Sequence, residues 1–170
     1  MAGFSETLTE MVDVADDYCR LIDDALARPG DWLEALFQLM PRLHAAVTAL
    51  NAYDTGDVPL YETDLDARFE LYSHLRKVLG ERDSYWLEFD AAPEEMHMSG
   101  SLADDLTDIY FDLRFGRDLL DDVWPQRAAQ AWRSSYRVHW GQHLVDAERH
   151  LYALKVRNQL AVNQENLSGP

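Results

Sequence analysis

Apolar side chains recur three and four residues apart along almost the whole of this chain, and the alternation that marks a half-buried strand is nearly absent, so a helical period governs the fold. An all-α protein follows. With no sheet to back them, amphipathic helices bury their apolar stripes against one another. At 170 residues, 47% hydrophobic, with eight Gly and six Pro, the chain suits one core of ordinary size. The expected architecture is a single-domain antiparallel bundle of about five helices over residues 1–162, with a frayed tail over 163–170.

The spacing predicts a first helix from about Ser5 to Arg28, burying Leu8, Met11, Val12, Ala15, Cys19, Ile22 and Leu26 and stopped by Pro29-Gly30. Asp31 is expected to cap the second, whose stripe is Trp32, Leu36, Leu39, Leu43, Ala46, Val47 and Leu50, with a kink at Pro41. Residues 52–62, with Gly56 and Pro59, read as a surface loop. A third helix from about Thr63 should face inward through Leu65, Phe69, Tyr72, Leu75 and Leu79 and end at Gly80 in the left-handed conformation. Residues 83–100 read as a packed loop with one short turn. Ser101 should cap the fourth helix, with Asp104 three residues on completing an acidic capping box; Leu102, Leu106, Ile109, Leu113 and Leu120 are its core positions. After a turn at Trp124-Pro125, a fifth helix should bury Trp132, Tyr136, Trp140, Leu144, Ala147, Leu151 and Leu154.

Net charge is −16, which makes nucleic acid and anionic membrane surfaces poor partners and leaves a basic protein partner open. Residues 1–122 carry 28 acidic and nine basic side chains, whereas residues 123–170 carry three and six, so the last helix should pair with acidic neighbours inside the domain. No apolar run approaches the roughly 20 residues that span a bilayer, and the first residues lack a signal-peptide pattern. A cytoplasmic protein is expected. Cys19, the single cysteine, lies in an apolar stripe and reads as a small buried hydrophobe.

Chemistry concentrates in two mirrored polar stripes: Asp104, Asp105, Asp108 and Asp112 on the fourth helix, and His139, His143, Asp146 and His150 on the fifth. In an antiparallel hairpin turning near residue 123 or 124, Asp108 levels with His139 and Asp104 with His143. Asp104, Asp108, His139 and His143 then have the donor types and spacing to hold a divalent metal between two helices. No other cofactor is expected. The alternative is a polar seam in which each imidazole donates to a carboxylate and registers the helices, with Arg114, Arg133 or Arg137 offsetting the aspartates. Both stripes sit one residue behind the apolar stripes, so they turn inward together or outward together, depending on the hairpin's handedness. His44 and His74 stand alone, and His97 between Met96 and Met98 reads as exposed.

Asp104-Asp105-Leu106-Thr107-Asp108 also spells the D-D-x-x-D pattern with which helical isoprenoid synthases hold magnesium. The chain has neither their length nor a second acidic motif or a basic diphosphate clamp, and the paired acidic motifs of small helical nucleotide pyrophosphohydrolases are absent too. The chain does resemble a bacterial family catalogued as domain of unknown function number 5063. The resemblance rests on Asp17-Tyr18-Cys19-Arg20-Leu21-Ile22-Asp23, on Tyr85-Trp86 with Phe89-Asp90, and above all on Gly100-Ser101-Leu102-Ala103-Asp104-Asp105-Leu106 with the later His139-Trp140-Gly141-Gln142-His143. It implies a small helical protein and assigns no catalytic residue. Whether the chain is an enzyme stays open. An acidic interaction or regulatory module is the leading expectation, and a metal-binding protein or metal-dependent hydrolase at the Asp/His stripes is the alternative.

Overall fold

The computed structural model describes residues 2–27, 30–50, 64–87, 98–121 and 125–161. Helix α1 (Ala2–Ala27) is followed by α2 (Trp32–Ala49), α3 (Leu65–Leu79) and a 3₁₀ turn at Gly80–Arg82. Two short strands come next, β1 (Ser84–Leu87) and β2 (Met98–Ser101). The chain continues with α4 (Leu102–Asp121), α5 (Pro125–Ser135), a π turn at Tyr136–Trp140 and α6 (Gly141–Val156). The protein is a helical bundle. Helix α4 lies at its centre, packed against α1, α3, α5 and α6. The expected loop at 52–62, His97, Trp124 and the tail over 163–170 fall outside the described residues.

The core joins Met11, Ile22, Leu33, Leu36, Leu43, Leu106, Ile109, Trp132, Trp140, Leu144 and Leu151 in one apolar cluster. Cys19 is buried within it, and burial pushes its thiol up to about 12, consistent with a packing role. Tyr18 is wholly buried and donates its hydroxyl to the Leu106 carbonyl at 2.9 Å, fastening α1 to the middle of α4.

Several local expectations are corrected by packing. Asp31 precedes α2 but makes no side-chain capping bond, and the helix continues through Pro41. Helix α3 is capped by Asp64, which accepts from the backbone N–H groups of Asp66 and Ala67. Its inner face is the expected one in the second half only: Leu75 and Leu79 are buried and Tyr72 packs partly buried on the core, whereas Leu65 and Phe69 are 74% and 66% exposed and Leu71 is buried in their place. The same face carries Arg68, which forms ion pairs with α4. Gly80 has the expected positive φ of 57°, but ψ of −127° takes it out of the left-handed helical well.

The expected packed loop over 83–100 is instead bounded by β1 and β2, which pair antiparallel with Tyr85 opposite Gly100. This ribbon delivers Asp83 to the start of α4. The buried Asp83 carboxylate accepts from the Ala103 N–H at 2.7 Å and from the Ser101 hydroxyl, while Ser101 Oγ accepts from the Asp104 N–H at 3.3 Å. The Ser101 cap is therefore present and is reinforced by a second, non-local one.

The expected fifth helix is interrupted by the π turn. Gly141 donates its N–H back to the Tyr136 carbonyl, five residues earlier, which absorbs one extra residue into the helix. The apolar positions Trp132, Tyr136, Trp140 and Leu144 carry the signature. Three successive steps of four drift by about 120° on an α-helix, and one extra residue in the turn brings them back onto one face. Trp132, Trp140 and Leu144 are all fully buried.

Candidate metal centre

On α4, Asp105, Asp108 and Asp112 are spaced three and four apart, and all three turn into the seam with α5 and α6 at 4%, 6% and 7% exposure. Opposite them, His139 comes from the π turn and His143 from the first turn of α6. The hairpin's hand therefore directs both stripes inward. His139 Nδ1 lies 2.7 Å from Asp112 Oδ2, and His143 Nδ1 lies 2.8 Å from Asp105 Oδ1. The contacts step down α4 as they step up the facing helix, as antiparallel packing requires.

With each Nδ1–H donating to its carboxylate, the Nε2 atoms of both rings turn toward a third carboxylate, Asp108. Both approach the same oxygen: Asp108 Oδ2 is 3.1 Å from His143 Nε2 and 3.9 Å from His139 Nε2. The second oxygen of Asp108 is held by Arg68, whose Nε donates at 2.8 Å and whose Nη2 lies at ion-pair distance, 2.6 Å. Arg68 also reaches Asp104 at 3.0 Å. One ligand atom each from Asp108, His139 and His143 falls within 4.8 Å of the others. Metal–ligand bonds of about 2.0–2.2 Å leave neighbouring ligand atoms roughly 3–3.5 Å apart, so the pocket needs to tighten only at His139.

The expected residues separate into three groups. Asp105, Asp108, Asp112, His139 and His143 come together. Asp104 does not pair with His143; it turns toward α3 and pairs with Arg68, and Asp105, one residue on, meets His143 instead. Asp146 accepts from Gln142 on its own helix, and His150 leaves the cluster to hold the Arg82 carbonyl at 2.7 Å. Arg114 lies over the Tyr110 ring, and the guanidinium that offsets the aspartates is Arg68 from α3.

Arg68 and Tyr85 were not anticipated. Arg68 sits three, seven and eleven residues before Leu71, Leu75 and Leu79, so a basic residue on a leucine stripe was the available signal. Tyr85 donates to Asp105 Oδ2 at 2.5 Å and reaches the site only through the β1–β2 ribbon, for which the local spacing gave no sign.

Burial raises the carboxyl pKa values of Asp105 and Asp112 above the ordinary range, against the lowering effect of their histidine partners. Burial opposes the charged form of His143, but its hydrogen bond to Asp105 and the negative charge of Asp108, Asp105 and Asp104 outweigh that, and its pKa is raised. Each shift favours a bound proton, as expected where four carboxylates face one guanidinium. The seam attracts positive charge.

His150 behaves in the opposite way. Burial lowers its pKa from 6.5 against the raising effects of the Arg82 carbonyl and Asp83, with Arg149 and Arg157 adding to the lowering; its ring stacks on Tyr85 at 4.7 Å. The unfolded chain therefore takes up this proton first as pH falls below 6.5, and the folded state loses stability in that window. His150→Gln, which keeps a donor but does not titrate, should flatten the acid limb of a urea-denaturation series between pH 7 and pH 5 relative to the parent; an unchanged limb would remove His150 as its source.

A sequence profile of the family described as domain of unknown function DUF5063 matches residues 2–157. The chain belongs to this family. Comparison with curated proteins finds no match. Among solved structures, the DUF5063 chain is similar to the crystal structure of protein BF1032 from Bacteroides fragilis, with a TM-score of 0.74 and 22% identity over 91% of this chain and 96% of that one. At that identity the likeness concerns the fold. No helix among the described residues is long and apolar enough to cross a membrane.

Proposed function

We propose that this is a bacterial cytoplasmic protein that binds a divalent first-row metal ion through Asp108, His139 and His143, in the manner of metal-dependent hydrolases. One observation carries the reading: both imidazoles have Nδ1 tied to a buried carboxylate and Nε2 aimed at one oxygen of a third. Carboxylate–imidazole pairs of this kind fix the tautomer and raise the basicity of metal-bound histidines. A polar seam alone does not call for two rings to share a target atom.

Charge supports the same reading. Four carboxylates, Asp104, Asp105, Asp108 and Asp112, face the one guanidinium of Arg68, and the negative excess that favours bound protons on His143, Asp105 and Asp112 would equally favour a divalent cation in their place. His139 is 48% exposed, so the cluster borders solvent on the side of that ring. A zinc-class ion held by Asp108, His139 and His143 would supply Lewis acidity and lower the pKa of a ligated water to about 7. Asp105, Asp112 and Arg68 hold the ligands in orientation.

Metal analysis of protein purified without an affinity tag tests this. Stoichiometric zinc, manganese or iron is expected, and a folded His139→Ala/His143→Ala variant should lack it. Failure of the parent to retain or take up any of these ions would leave the stripes as a registering seam.

A second reading, an interaction module for a basic protein, is favoured by the net charge of −16 together with Val138, Val145 and Tyr152, seven residues apart and exposed on α6 and the turn before it. A fluorescent polylysine probe should then bind at low salt and be released as salt is raised; no binding at low salt would remove this reading.

A further inference from the structure

We infer that Tyr136, His44 and Gly141 are positioning residues for the metal centre, acting through His139; the inference rests on the metal-binding reading above. The starting point is the π turn. Gly141 closes it by donating to the Tyr136 carbonyl, and a Cβ on Gly141 would stand 2.3 Å from that carbonyl oxygen and 3.0 Å from the Tyr136 ring. Only glycine lets the two approach in this way.

The other end of Tyr136 is tied to a different layer of the bundle. Its hydroxyl lies 3.0 Å from His44 Nε2 on α2, and His44 Nδ1 lies 3.0 Å from Glu148 Oε2 on α6. The carboxylate takes the Nδ1–H, so Nε2 accepts the tyrosine O–H. His44, expected to stand alone, is thus the middle of a chain joining α2, the π turn and α6. Trp140 packs edge-on against the Tyr136 ring at 5.1 Å and closes the same unit.

His139 lies inside this turn and His143 lies beyond it, on regular helix. Relaxing the turn to α-helix removes one residue from it and rotates the preceding helix by about 100° relative to α6. His143 keeps its contacts with Asp105 and Asp108, whereas His139 loses its register with Asp112 and Asp108. The two imidazole ligands are therefore controlled separately, and the Tyr136–His44–Glu148 chain and Gly141 act on one of them. π turns frequently occur at functional sites, and here the extra residue is what aims a ligand.

The test is zinc affinity and the visible spectrum of the cobalt-substituted full-length chain, for Tyr136→Phe, His44→Ala and Gly141→Ala alongside His139→Ala. Each of the first three is expected to weaken zinc binding by about ten- to one-hundred-fold and to shift the cobalt spectrum toward that of His139→Ala. Adding Tyr136→Phe to His139→Ala should then weaken binding no further. Additive losses in that double variant, or unchanged affinity and spectrum in Tyr136→Phe, would overturn the inference, and Tyr136→Phe carries the test if Gly141→Ala does not fold. Metal binding that survives His139→Ala/His143→Ala would instead overturn the underlying metal reading, and this inference with it.

Discussion

An Asp108→Ala variant is expected to lose metal affinity by at least about two orders of magnitude, more than any other single change in the cluster. Asp108 is where its three connections meet: Arg68 holds Oδ1, while His139 and His143 approach Oδ2. Removing the carboxylate deletes a ligand and leaves the partly buried Arg68 guanidinium with Asp104 alone. The metal-free protein should also lose about 1–3 kcal/mol, the usual cost of leaving a desolvated polar group short of a partner. Isothermal titration with zinc or manganese reads the first effect and urea denaturation with chelator present reads the second. Parent-like metal affinity in Asp108→Ala would show that the convergence of the two rings serves packing alone.

The largest effect on stability is expected at Trp132. This side chain is fully buried, donates its indole N–H to the Leu113 carbonyl at 3.1 Å, and lies so close to α4 that a Cβ on Gly116 would sit 2.1 Å from its nitrogen. Trp132→Ala should cost about 3–5 kcal/mol, the transfer free energy of the ring plus a cavity that α4 and α5 are too rigid to close. For a chain of this size that lowers the melting temperature by roughly 6–20 °C. Calorimetry or thermal circular dichroism decides it, and a shift of only a degree or two would mean that the helices close over the gap. Gly116→Ala approaches the same contact from the other side, as overpacking.

The two sites show how far local patterns carry. Trp132, Leu144, Leu151, Leu106 and Ile109 were legible as core because burial on a helix follows a period of 3.6, and the structure buries all of them. Leu65 and Phe69 obeyed the same period and are exposed, while Leu75 and Leu79 of that stripe are buried and Arg68 and Leu71 face α4 and the core in the first half of the helix. The π turn was half legible: the steps of four from Trp132 to Leu144 record it, but they look like an ordinary stripe until the drift per step is counted. In the candidate site the counted pairs are displaced: His139 bonds Asp112 and His143 bonds Asp105, while Asp108 lies between the two rings, closer to His143 than to His139.

The sequence by itself determined that this chain is helical, where most of its apolar stripes run, and that carboxylates and imidazoles line two successive helices. Those are consequences of short-range periodicity, and each residue's backbone conformation is set largely by its near neighbours. Tertiary structure alone decided that both stripes turn inward, that Asp105 rather than Asp104 meets His143, and that Arg68 and Tyr85 join them from α3 and β1. The rotation of one helix against another is fixed by contacts between residues about 40 positions apart or more, such as Arg68 with Asp108 or Tyr18 with Leu106. No local spacing encodes that rotation, and it makes the mirrored stripes a convergent pocket with two aimed imidazoles.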